Sequence, residues 1–226
     1  MRVTLLPVLL VLVLAACGGG DDASESSGSA TTTATEQSTA IDPGDCETVE
    51  APAAKPDGGQ TAPSGALAAG TYELVFETSC GAFTVTLDPK QAPKTAASLV
   101  SLAEAGFFDG TTFHRVVPGF VIQGGDPTGT GTGGPGYSSV DMPPAETTYT
   151  AGVVAMAKAG NEPPGTSGSQ FFVVTAPDAG LPPEYAVVGR VSEGMETVSA
   201  IEALGTGDGP PSQPVVIEKV TVDKSS

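Results

Sequence analysis

Apolar and polar positions alternate over residues 71–77 and again over 83–87, on either side of Ser79, Cys80 and Gly81. A period of two sends successive side chains to opposite faces, so these stretches predict two strands joined as a hairpin. The period then lengthens. After Pro93, which suits a first helical turn, Ala96, Leu99, Val100, Leu102 and Ala103 recur at helical spacing until Gly106 offers a stop. A second helix is predicted over 195–204, where Val198, Ile201 and Leu204 form one stripe and Gly205 follows. Strand patterns recur at 112–116, 120–123, 152–157, 170–174, 186–191 and 215–222, parted by Gly- and Pro-rich loops. Eight short strands and two helices predict a mainly β fold, a closed eight-stranded antiparallel barrel with the helices over its open ends.

The first seventy residues follow none of these periods. Arg2 precedes an apolar run from Val3 to Ala16, too short to span a bilayer comfortably but suited to an export signal. The run ends in Leu14, Ala15, Ala16 and Cys17, which resembles the lipobox of bacterial lipoproteins; that resemblance implies cleavage after residue 16 and a lipid, such as palmitate, on Cys17. From Gly18 to Ala69 the chain is Gly, Ser, Thr, Ala, Pro and acid. Such a composition cannot bury enough apolar surface to offset ordering, so it predicts a flexible tether, with a short ordered patch near Cys46. The expected organisation is a signal peptide over 1–16, a lipidated cysteine and tether over 17–69, and one folded domain over 70–226. Its place is the cell membrane, held by the lipid on the extracytoplasmic side.

Charge and cysteine usage narrow the picture. The 226 residues carry a net charge of −17, and both the first seventy residues and the remainder are acidic. A basic surface for a phosphate backbone is missing, so nucleic acid is not an expected partner. Once Cys17 is set aside, Cys46 and Cys80 remain, and export to an oxidising compartment points to a disulfide between them, with two free thiols as the alternative. Two thiols and the single histidine, His114, make a poor zinc set, so no metal is expected.

The candidate chemistry lies in 113–126, which reads FHRVVPGFVIQGGD. On strands, Arg115 and Gln123 would sit among apolar neighbours, beside Phe120 and Val121, with no acidic residue adjacent in sequence. A cation and an amide beside apolar side chains suggest a binding site. A second glutamine, Gln170, stands two residues before Phe172 and shares its face on a strand. With QGGDPTGTGTGGPGY and GSQFF, these segments resemble the cyclophilin family of peptidyl-prolyl cis-trans isomerases, over about 72–222.

The resemblance implies an isomerase of Xaa-Pro bonds, acting on proline-containing unfolded or exported polypeptides as a monomer and without a cofactor. It assigns Arg115 as the catalytic arginine and Gln123 as the polar residue that orients it. Phe120, Val121, Phe172 and Leu181 fall on the walls of the family's proline pocket, and Gln170 on a polar wall. Ala157 and Lys158 fall on the strand whose backbone holds the peptide before the proline, and Tyr185 on a position often His or Tyr. Gly180 replaces a rim position that is commonly Trp or Phe, and the loop 161–167 is longer than usual. A peptide-binding chaperone module with weak or no isomerisation is the alternative.

Other signals have plainer explanations. Alternation turns His114 away from Arg115, which suits a structural histidine, and Asp126 suits a loop carboxylate bonded to backbone. The run 129–134 satisfies GxGxxG, but Pro135 follows and no helix opens there, so a dinucleotide site is not expected. The apolar rows 153–156 and 171–174 suit the barrel core.

Overall fold

The computed structural model describes residues 46–225; the expected export signal, Cys17 and the expected tether as far as residue 45 lie outside the described residues. Eleven strands and two helices follow one another as β1 (Thr71–Thr78), β2 (Gly81–Leu87), α1 (Pro93–Glu104), β3 (Thr111–Thr112), β4 (Arg115–Val117), β5 (Val121–Gly124), β6 (Ser139–Val140), β7 (Val153–Met156), β8 (Thr166–Ser167), β9 (Phe171–Val174), β10 (Val187–Glu193), α2 (Met195–Ala203) and β11 (Val216–Ser225). Nine of the strands form one antiparallel sheet in the order β3-β11-β1-β2-β10-β7-β9-β5-β4, while β6 and β8 pair separately.

This corrects the closed eight-stranded barrel. The sheet curls into an open half-barrel whose edges are β3 and β4, which are not paired with each other. The single strand expected over 112–116 is broken at Phe113 and His114, so that β3 pairs with β11 and β4 with β5. An isolated bridge joins Thr112 on β3 to Asp126, two residues beyond β5.

The concave side holds the main core, where Leu74, Phe76, Phe83, Phe113, Ile122, Met156, Phe171 and Val173 meet the apolar faces of α1 and α2. Phe76 stacks on Phe83 at 4.8 Å, and Phe171 meets the edges of Phe108 and Phe113 at 6.1 Å each. No residue next to α1 caps it. Asp141, buried and 46 residues away, instead accepts the Thr95 amide at 2.7 Å, so the exposed donors of the first turn find a negative charge from outside the helix.

Residues 46–60, within the stretch expected as a tether with an ordered patch near Cys46, lie along the domain. Cys46 and Cys80 are joined by a disulfide, and Glu47, Lys55, Gly58 and Gln60 donate backbone hydrogen bonds to the carbonyls of Ser79, Pro127, Gly134 and Pro135. The Lys55 ammonium donates to the carbonyls of Gly106, Phe107 and Asp109 at 2.6–3.2 Å, just beyond α1. Polar anchoring of this kind holds a segment without apolar periodicity.

Candidate active site

Four strands bring the site together through their register. Arg115 on β4 is opposite Gln123 on β5, Gln123 is opposite Phe172 on β9, and Phe172 is opposite Ala155 on β7. Directly opposed residues share a face, so these side chains form one row on the side of the sheet away from the main core. A second apolar cluster grows on that face from Val121, Val153, Ala155, Phe172, Val174 and Val187. Phe120, Ala157, Leu181 and Tyr185 pack against it from the loops. Tyr185 meets Phe172 edge-on at 5.6 Å. The result is a cradle with an aromatic wall and a half-buried rim.

A chain of polar groups borders this cradle. Arg115 donates from Nη1 to Gln123 Oε1 at 3.3 Å, Gln123 donates from Nε2 to Gln170 Oε1 at 3.0 Å, and Gln170 donates from Nε2 to the Gly133 carbonyl at 2.9 Å. Each amide has its oxygen toward the guanidinium and its nitrogen toward the loop, so the orientation of one sets the next. The guanidinium also lies 5.8 Å from the centre of the Phe120 ring. A cavity of about 560 Å³ opens beside the cradle, lined by Gln123, Gln170, Ala157, Lys158 and the glycine-rich loop 131–136. Ala157 belongs to both, and its amide donates to the Gln170 carbonyl at 2.9 Å.

Two ion pairs add detail to these assignments. Arg115 faces a carboxylate after all: Asp208, from the loop between α2 and β11, accepts Nε at 2.6 Å and Nη2 at 3.1 Å. The hydrogen bond and charge of Arg115 hold Asp208 below the ordinary carboxylate range. The Lys158 side chain is also paired, so it is not a free cation in the cavity it lines. It is 4% exposed, pairs with Glu184 at 3.1 Å, donates to the Glu162 carbonyl at 3.3 Å and lies over the Tyr185 ring. It ties the long loop after β7 to the cradle wall.

Comparison with known proteins bears on this arrangement. Residues 73–222 match the family model of the cyclophilin type peptidyl-prolyl cis-trans isomerases. The chain belongs to the cyclophilin family. It is 39% identical to peptidyl-prolyl cis-trans isomerase-like 1 of Gibberella zeae, over 69% of this chain and 94% of that one. It is 40% identical to peptidyl-prolyl cis-trans isomerase A of Mycobacterium tuberculosis, over 67% of this chain and 92% of that one. A cyclophilin type isomerase of Cryptosporidium parvum, solved in the presence of the dipeptide Ala-Pro, shares the fold with a TM-score of 0.62 and 31% identity, covering 68% of this chain and 99% of that one. This cyclophilin is accordingly a peptidyl-prolyl cis-trans isomerase that binds proline-containing peptides.

Sequence reasoning missed two of the residues that build this cyclophilin's site, Asp208 and Tyr149. Tyr149 is fully buried behind the cradle; its hydroxyl donates to the Tyr185 carbonyl at 2.8 Å and accepts the Tyr185 amide at 3.0 Å. A lone aromatic among polar residues was the available signal for Tyr149, whereas Asp208 sits between two glycines in a stretch with no pattern.

The unused candidates resolve as structural groups. Asp126 is wholly buried and accepts from Thr128 and from the amides of Gly131 and Gly133. Burial alone would raise its pKa, but these hydrogen bonds hold it below the ordinary value. Burial pushes the pKa of His114 below its ordinary value, against the pull of the Asp126 carboxylate. The run 129–134 is a loop around Asp126. Among the described residues no cluster of His, Cys, Asp or Glu could hold a metal ion, and no helix is long and apolar enough to cross a membrane.

Proposed function

We propose that this cyclophilin turns Xaa-Pro bonds of exported proteins by stabilising the twisted amide with the Arg115 guanidinium. We place it as a monomer on the outer side of the cell membrane, held by a lipid on Cys17. The observation that carries the mechanism is a guanidinium held in place at the border of an apolar cradle.

Rotation about an Xaa-Pro bond meets a barrier of about 18–20 kcal/mol because twisting destroys amide resonance; no bond breaks, so no nucleophile is needed. As the bond twists, the prolyl nitrogen regains its lone pair. A preorganised donor binds that form better than either planar isomer. One charge-assisted hydrogen bond supplies roughly 1.5–3 kcal/mol, or one to two powers of ten in rate. The remainder comes from holding the ring against Phe120, Val121, Phe172 and Leu181 and the preceding backbone at Ala157, so that the flanking peptide is free to turn.

The cellular place draws its support from the apolar run before Cys17 and from the Cys46–Cys80 disulfide, which suits an oxidising compartment. Two measurements test the proposal. Arg115→Ala should lower isomerisation of an Ala-Pro peptide by at least tenfold, and equal rates in both proteins would refute the mechanism. Cys17→Ser should end labelling by radioactive palmitate and release the chain from membranes; a variant that stays bound would refute the anchor.

A further inference from the structure

We propose that Asp208 is a positioning residue for isomerisation. Its carboxylate fixes the plane of the Arg115 guanidinium and occupies one edge of it, so that the free N–H groups face the cradle. The inference rests on the arginine mechanism above and deepens it.

A guanidinium carries five N–H groups in a rigid fork. Asp208 accepts one on Nε and one on Nη2, and Gln123 accepts one on Nη1. Two remain for a substrate, one on each terminal nitrogen. The side chain of an arginine has several freely turning bonds, and Gln123 alone, at 3.3 Å through a single bond, leaves the fork able to roll about that contact. A carboxylate meeting the Nε–Nη2 edge with both oxygens removes that freedom.

The loop bearing Asp208 is held independently of the ion pair. The amide of Val116, the residue after Arg115, donates to the carbonyl of Gly209, the residue after Asp208, at 2.8 Å. Ser212 donates to the Leu204 carbonyl at 2.7 Å across the loop's base. At the loop's start, Gly205 packs so tightly on Pro118 and Val116 that a Cβ would fall within 3 Å of both. The backbone thus delivers Asp208 to Arg115 whether or not the pair forms. The carboxylate itself is 69% exposed, a setting in which an ion pair adds little to stability. Fold and catalysis can therefore be separated.

The test uses the full chain and an Ala-Pro tetrapeptide, with exchange rates and peptide affinity both measured by NMR. Asp208→Ala should lower kcat about tenfold with peptide Kd and Tm unchanged, short of the roughly hundredfold that an ångström of misplacement can cause. Asp208→Asn, which keeps one acceptor, should recover part of the loss. On an Arg115→Lys background, which lacks the fork, Asp208→Ala should change nothing further. An unchanged or raised kcat in Asp208→Ala would overturn the proposal, a rise meaning that the carboxylate competes with substrate. A loss that appears equally on the Arg115→Lys background would also overturn it. Should wild type and Arg115→Ala turn over alike, the arginine mechanism would fail instead, and the two failures are thereby distinct.

Discussion

Replacing Tyr149 by Phe removes one oxygen from a residue with no exposed surface and leaves its ring in place. That oxygen serves both backbone groups of Tyr185, accepting the amide at 3.0 Å and donating to the carbonyl at 2.8 Å. Without it a donor and an acceptor remain in a site closed by Phe172 and the Tyr185 ring, whose centroids lie 6.4 and 6.0 Å from that of Tyr149. An orphaned buried polar group costs about 1–3 kcal/mol, so two should cost roughly 2–4 kcal/mol, allowing for partial relaxation. In a protein of this size that is a fall in Tm of roughly 5–10 °C. Urea unfolding should show a lower midpoint with an unchanged slope, and peptide affinity should weaken because Tyr185 forms the cradle wall. Tyr185→Phe keeps its backbone bonds and ring packing and should cost under about 1 kcal/mol. A Tyr149 variant no less stable than the Tyr185 variant would refute a buried role for that oxygen.

Three further outcomes are expected. Reducing the Cys46–Cys80 disulfide, which spans 34 positions, should lower stability by about 3–4 kcal/mol in guanidinium titrations while isomerisation persists; an unmoved midpoint would refute a constraining role. Asp126 has its folded pKa below the ordinary value, so its contribution is complete above about pH 5 and lost as pH falls through the folded value. The stability gap between wild type and Asp126→Asn should be level at neutral pH and shrink below about pH 4, and a gap that does not vary with pH would contradict this. Gly180→Ala should cost about 1–2 kcal/mol from its left-handed backbone alone, since φ is +61° and nothing lies within 4 Å of the added carbon; a neutral result would refute the strain.

The sequence revealed the parts of this molecule that carry local patterns. The hairpin of β1 and β2, both helices and the cores of the longer strands follow from period, and Arg115, Gln123 and Gln170 from motif. Closure could not be read from the number of strands: β6 and β8 span two residues each and have no period, and the break at Phe113 and His114 falls inside an apparently continuous strand. The rows 153–156 and 171–174 read as core throughout because unbroken apolar runs do not tell one face from the other. They divide by alternation, with Val154, Met156, Phe171 and Val173 in the main core and Val153, Ala155, Phe172 and Val174 in the cradle cluster. Lys55 and Asp208 act through polar contacts with residues far along the chain, which leave no trace in hydropathy.

The same alternation explains why an apolar cradle and a polar donor can adjoin on one sheet. Along the row shared by β4, β5, β9, β7 and β10, opposed residues change from Arg115 to Gln123, Phe172, Ala155 and Val187. Charge, amide, aromatic ring, methyl and isopropyl succeed one another at the strand spacing of about 4.8 Å, so Phe172 stands two strands, about 10 Å, from Arg115 along the row. On the proposed mechanism, a prolyl ring seated against Phe172 would lie two strands from the Arg115 donor. Shifting any one strand by a single residue would exchange its faces and place core side chains in the row. The antiparallel pairing that closes the core therefore also sets the distance between grip and donor, and the sheet need not close for the site to form.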